Sequence, residues 1–135
     1  MEIVSQEDHR LLAIWAGDCA EHVLTHFESR SPCDDRPRRA IEACRAWVRG
    51  ELPMAQARKA AFASHEAARD AREPEAVAAA RSAGHAAATA HVATHAPHAA
   101  AYALKAVARE SGAEVERAWQ YDCLPEHLRA IIFAT

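Results

Sequence analysis

Nine histidines stand in a chain of 135 residues, and four of them fall in one stretch: His85, His91, His95 and His98. Histidine is the side chain whose ordinary pKa lies within the physiological range, and it is the commonest metal ligand. His91 and His95 are four apart, so on a helix they share a face, and His98 follows three later. If one helix ran through Pro97, the three would lie within about 60° of arc. A break at Pro97 would instead leave His95 and His98 flanking a turn. Asp18, His22 and His26 repeat the spacing of four near the N-terminus. Helical bundles build metal sites from inward residues on facing helices. The candidate metal ligands are therefore His91, His95 and His98, with Asp18 and His22 contributing from a neighbouring helix. The cofactor would be zinc or another divalent transition metal, and zinc takes about four ligands with imidazole nitrogens at roughly 2.0–2.1 Å. Val92, Ala93 and Thr94 separate His91 from His95, so the glutamate of a zinc-protease HExxH is missing and that chemistry is excluded. The competing reading is a cofactor-free network of neutral, buried imidazoles hydrogen-bonded to carbonyls, carboxylates or water, which acid would destabilise.

Other residue types offer less chemistry. Cys19 and His22 are three apart on one helix, close enough to touch. No glycine-rich or oxyanion-type loop accompanies them, and an activated thiol needs a prepared electropositive pocket. No catalytic residue is assigned, and no phosphate-cradling glycine loop supports a nucleotide enzyme. The four cysteines, Cys19, Cys33, Cys44 and Cys123, form no CxxC pair, which argues against a zinc knuckle and for a reducing, cytoplasmic setting. A net charge of −3 and a pI near 6.3 do not suit a general nucleic-acid binder. No apolar run approaches the ~20 residues of a membrane span, and the acidic start MEIVSQEDHR does not read as a signal peptide. Arg36, Arg38, Arg39, Arg45 and Arg49 make one basic segment. Arg38, Arg45 and Arg49 are the candidate partner-binding residues, placed to steer an acidic partner. The plainer alternative is a solvated helix face balanced by Asp34, Asp35 and Glu42.

The elements that must hold these residues are helices. Alanine, the strongest helix former, supplies most of the hydrophobic half of the composition, with only four glycines and no long β-branched run. The fold class is all-α: a compact bundle of six to seven helices forming a single domain over residues 1–135. A first helix over 5–29, capped by Ser5 and Asp8, brings Leu11, Leu12, Trp15, Cys19, Val23 and Phe27 to one face. A second follows Asp34 and Asp35 and stops at Gly50. Pro53 and Pro74 open a third and a fourth, Ala96-Pro97 interrupts the fourth, and a fifth begins at Pro97. A sixth spans 113–123, and Pro125 opens a short last one. The fourth helix carries almost no large apolar side chain, so it must be central and gripped at close range by its neighbours. Trp15, Trp47 and Trp119 read as core anchors, with Tyr102 and Tyr121 alongside. Alanine faces also suit self-association, which leaves a homo-oligomer open.

Three segments, DDRPRRAIEACRAWVRGE (34–51), AGHAAATAHVATHAPHAAAYALKAV (83–107) and LPEHLRAII (124–132), carry a family resemblance together with the Trp-Ala-Gly-Asp-Cys-Ala run at 15–20. With them the chain resembles an all-α family of bacterial putative immunity proteins, some members of which carry an exonuclease-like label. The resemblance spans nearly the whole chain and includes the histidine-rich stretch. It implies a non-enzymatic protein that binds and neutralises a cognate toxin by surface complementarity, with no cofactor. It brings no catalytic residue.

Overall fold

The computed structural model describes residues 4–110 and 112–133; residues 1–3 of the acidic start lie outside them. These residues form α1 (Gln6–Val23), α2 (Thr25–Glu28), α3 (Arg36–Val48), α4 (Met54–Asp70), α5 (Pro74–Ala88), α6 (His95–Val107), a 3-10 turn (Ala108–Glu110), α7 (Ala113–Cys123) and α8 (Glu126–Ile132). No strand occurs among the described residues. The short α2 continues α1 past a tightened turn at Leu24, whose N–H reaches back to Glu21 O at 3.2 Å. With α1 and α2 taken as one, the described helices number seven.

The helix ends obey local chemistry. The Ser5 hydroxyl accepts from the Asp8 N–H at 3.1 Å, half of the expected capping box. Asp8 does not return the contact, because its carboxylate meets His127 Nε2 at 2.7 Å. Asp34, not Asp35, caps α3: its Oδ1 accepts from the Arg36 N–H at 3.1 Å. Gly50 ends α3 with φ +74°, a left-handed conformation that suits glycine. Pro74 sits in the first turn of α5, where an N–H has no helical partner.

One boundary departs from expectation. The fourth helix does not run to Ala96; it stops at Ala88, and the next begins at His95 with Pro97 inside its first turn. Pro97 is tolerated there because the first-turn N–H groups lack helical partners anyway. The earlier stop has a tertiary cause. The Thr89 carbonyl, which a continuing helix would offer to Ala93, is taken by the His9 ring of α1. The Thr89 hydroxyl meanwhile bonds back to His85 O at 3.0 Å.

Two kinds of side chain fill the core. Trp15, Phe27, Leu12, Leu124 and Leu128 are fully buried, and the Trp15 Nε1–H donates to Gln120 O of α7 at 2.8 Å. Most of the other buried residues are alanines, chiefly from α4, α5 and α6. Helix α5 packs against α1, α2, α3, α4 and α6, which makes it the central helix. Its neighbours come close enough for side chains to reach helical carbonyls: Ser64 Oγ of α4 donates to Ala80 O, and Ser82 Oγ of α5 to Ala99 O, both at 2.8 Å. Small residues permit this approach and leave those carbonyls reachable. Buried hydroxyls that are bonded in this way avoid the cost of an unmade hydrogen bond.

Candidate functional site

α4 places Arg58, Phe62, His65 and Arg69 along one stripe by helical spacing, and α5 sets Arg81, His85 and Ala88 beside it. The turn after α5 adds His91 and Val92, and the start of α6 adds His95 and His98. The imidazoles converge at His85. Its ring centroid lies 4.9 Å from that of His65 and 5.3 Å from those of His95, His98 and Tyr102, with the Tyr102 ring stacked at 8°. His85 Nδ1 and His95 Nδ1 are 3.1 Å apart. One of these nitrogens must donate and the other accept, so at most one carries a proton at this position. The His65 ring lies flat against Gly84, where an added Cβ would fall 2.6 Å from Cε1. Only glycine leaves room for that ring. Among the described residues, no hydrogen-bond partner meets the buried His65 Nδ1.

A cleft of about 330 Å³ opens beside this cluster, lined by Arg58, Ala61, Phe62, His65, Ala88, His91, Val92 and His95. None of its lining residues is acidic. Phe62 and Val92 stand at its rim, 56% and 38% exposed. The Arg58 guanidinium lies over the Phe62 ring, 5.4 Å from its centroid. A wider cleft of about 520 Å³ between α3 and α4 contains Arg36 and Arg39, but both are held by carboxylates: Arg36 by Asp34 and Asp70, Arg39 by Asp35.

Burial first, then Arg81, Arg69 and His95, lowers the His65 pKa from 6.5 to about 4. Burial first, then its histidine neighbours and Arg81, lowers that of His85 to about 3. His95 shifts the same way, through burial and then His98 and His91. The native rings are therefore neutral where the unfolded chain already binds protons. Stability is full above the unfolded value of 6.5 and falls as pH drops from there toward about 4 and 3. The carboxylates with lowered values, Glu21, Asp34 and Glu75, act below their ordinary 3.8–4.5, a separate and more acidic window. Thermal melts at pH 7.5 and 5.0 should differ by about 5 °C, the acidic sample melting first. His85→Gln should flatten that dependence. Equal melting temperatures in the wild type at the two pH values would contradict the buried-neutral state.

The candidate metal set is not assembled as expected. Asp18 pairs with Arg45 at 3.0 Å, while His22 Nδ1 donates to Glu116 at 2.8 Å and its ring stacks 3.7 Å from Trp119. Neither meets the histidine cluster. His91 and His95 lie on opposite sides of a helix break, so they are not successive turns of one face. Among the described residues, no group of three or more His, Cys, Asp or Glu side chains is arranged to hold a metal ion. The Cys19–His22 pairing also dissolves: burial, with the nearby Glu116, holds the Cys19 thiol well above its usual range. Cys44 is likewise pushed up to about 12 by burial, and its thiol donates to Ala13 O.

The structure does not leave the three candidate partner-binding arginines free. Arg38 meets Glu28 at 2.6 Å, Arg45 bridges Asp18 and Glu21 at 3.0 Å, and Arg49 meets Glu51 at 3.0 Å. Their positive charge is matched within the chain, by acids from α1, α2 and the turn after α3. His65 was not anticipated as part of the cluster, although its place in the Arg58-Phe62-His65-Arg69 stripe is visible in the spacing. Glu116, the partner of His22, lies 94 residues away and carries no local signal.

Residues 2–127 match the family described as Imm-5 like putative immunity protein. The chain belongs to that family. No curated protein and no solved structure matches it. The match covers every element from α1 to α7 and the start of α8, so the immunity family and the histidine-bearing bundle are one unit. No helix among the described residues of this family member is long and apolar enough to cross a membrane.

Proposed function

We propose that this protein binds and neutralises a cognate bacterial toxin in the cytoplasm of the cell that makes it, by surface complementarity and without catalysis. The observation that carries the reading is the family match over residues 2–127. The state of the reactive groups agrees with it: the thiols of Cys19 and Cys44 are held protonated by burial, and the imidazoles of His85 and His95 engage each other. An inhibitor of this kind needs a stable scaffold with a defined outer face and no cofactor. Co-expression with the products of neighbouring genes tests it. The expected result is protection of the host from one of them, with a complex that survives co-purification. Failure to protect from, or bind, any of them would remove the toxin from the account.

A second reading is metal binding at the His85–His95 pair, whose spacing fits two ligands as well as a hydrogen bond, without a third ligand in place among the described residues. Two ligands of a tetrahedral zinc with imidazole nitrogens at ~2.0–2.1 Å stand about 3.3 Å apart, and His85 Nδ1 and His95 Nδ1 are separated by 3.1 Å. The site would then centre on His85 and His95, with His91 and His98 nearby. Metal analysis of untagged protein decides it. Stoichiometric zinc that disappears in His85→Ala supports the reading; metal-free protein whose melting temperature ignores added zinc chloride retires it.

A further inference from the structure

We infer that the face built by α4 and α5 is the docking surface, and that it takes an acidic protein surface carrying an apolar side chain beside its carboxylates. This inference rests on the toxin-neutralising reading and adds to it where the toxin binds and what chemistry the toxin presents there.

The distribution of charge points to this face. The basic segment on α3 is paired: Arg36, Arg38, Arg39, Arg45 and Arg49 each meet carboxylates of the chain. Arg58, Arg69 and Arg81 form no ion pair among the described residues, and all three lie on the α4–α5 face. Arg69 and Arg81 are near enough to His65 to act on it electrostatically. The cleft beside His65 is lined by Arg58, His65, His91 and His95 among others and has no acidic lining residue. The α4–α5 face of a protein of net charge −3 thus carries three arginines without an ion pair among the described residues, beside a cleft free of acids. Such a face attracts an acidic partner, which raises its association rate and orients it.

The same face supplies an apolar anchor point. Phe62, 56% exposed, and Val92, 38% exposed, line the cleft together with Ala61 and Ala88. Aromatic side chains in such positions carry a large share of interface energy once a partner excludes water from them. Single exposed apolar residues are ordinary on protein surfaces, but here the apolar lining and the unpaired cations share one face. Another exposed apolar region, near Val115 and Tyr121, borders Glu114, Arg117 and Asp122, so its charge is mixed and selects neither sign.

The test uses the full chain and the neighbouring-gene product from which it protects. Arg69→Glu with Arg81→Glu, and separately Phe62→Ala, are expected to weaken toxin binding by at least about tenfold. Wild-type association should slow steeply as sodium chloride rises. Arg117→Glu, an exposed charge reversal on α7, is the control and should bind as the wild type does. Melting temperatures equal to the wild type keep the comparison about the surface. If the wild type protects and the α4–α5 variants bind equally well, this docking face is wrong while the toxin reading stands. If the wild type protects against nothing, both fall.

Discussion

Trp15→Ala should cost about 3–5 kcal/mol of stability, enough to unfold a large fraction of a marginally stable domain. Trp15 is the largest fully buried side chain among the described residues, and few other large apolar side chains, among them Leu12, Phe27, Leu124 and Leu128, are fully buried with it. Much of the remaining core is alanine, which buries little area per residue and cannot compensate for a lost indole. Trp15 also ties α1 to α7 through its Nε1–H to Gln120 O, and the ring of Phe133 meets it edge-on at 6.2 Å between centroids. Trp15→Phe should separate the two contributions. It keeps most of the aromatic contact, loses the hydrogen bond, and leaves a buried carbonyl with one fewer donor. About 1–2 kcal/mol is expected from that loss. Urea unfolding at pH 7.5 measures both variants. A Trp15→Ala protein within about 1 kcal/mol of the wild type would show that the core does not depend on this anchor.

Among the buried alanines the sensitive change is addition, not removal. Ala80→Leu or Ala87→Leu should destabilise by roughly 1–3 kcal/mol. Both positions are fully buried on α5, which touches five other helices. The interface there is set by close approach: Ser64 Oγ reaches Ala80 O at 2.8 Å. Three extra carbons at Ala80 must either push α4 outward and break that bond or adopt a strained rotamer. Ala101→Leu, on the exposed side of α6, is the matched control and should change stability by less than about 0.5 kcal/mol. Equal melting of Ala80→Leu and wild type would mean that the alanine layer holds unfilled space.

These two sensitivities come from different information. The large-residue core was legible in part. Leu12, Trp15, Cys19, Val23 and Phe27 recur at helical spacing and are buried, whereas Leu11, Trp47, Trp119 and Tyr102 are only partly buried and Tyr121 is exposed. The central place of the alanine-rich helix was legible too, because a helix with so little to bury on one face can be stable only when surrounded. Helix starts at Ser5 and Pro74, and the stop at Gly50, followed from local capping chemistry that acts over three or four residues.

What failed to be legible was whatever depends on contacts distant in sequence. The end of α5 was misplaced because the deciding event is His9 of α1 taking the Thr89 carbonyl, 80 residues away. That single shift changes the histidine cluster. With the break at Ala88, His91 leaves the helix and His85 becomes the centre, facing His65, His95 and His98 across two helix interfaces. The pairing of the arginines was hidden for the same reason. A run of Arg in α3 looks free in one dimension, yet α1 supplies Asp18 and Glu21, and α2 supplies Glu28.

The sequence by itself therefore determined the class of architecture: an all-helical bundle around a central alanine-rich helix, since periodicity and propensity act along the chain. The tertiary structure alone decided which imidazoles meet and which cations remain unpaired. Those properties come from pairs of helices brought together, and neighbouring residues do not encode the partner that a side chain will meet.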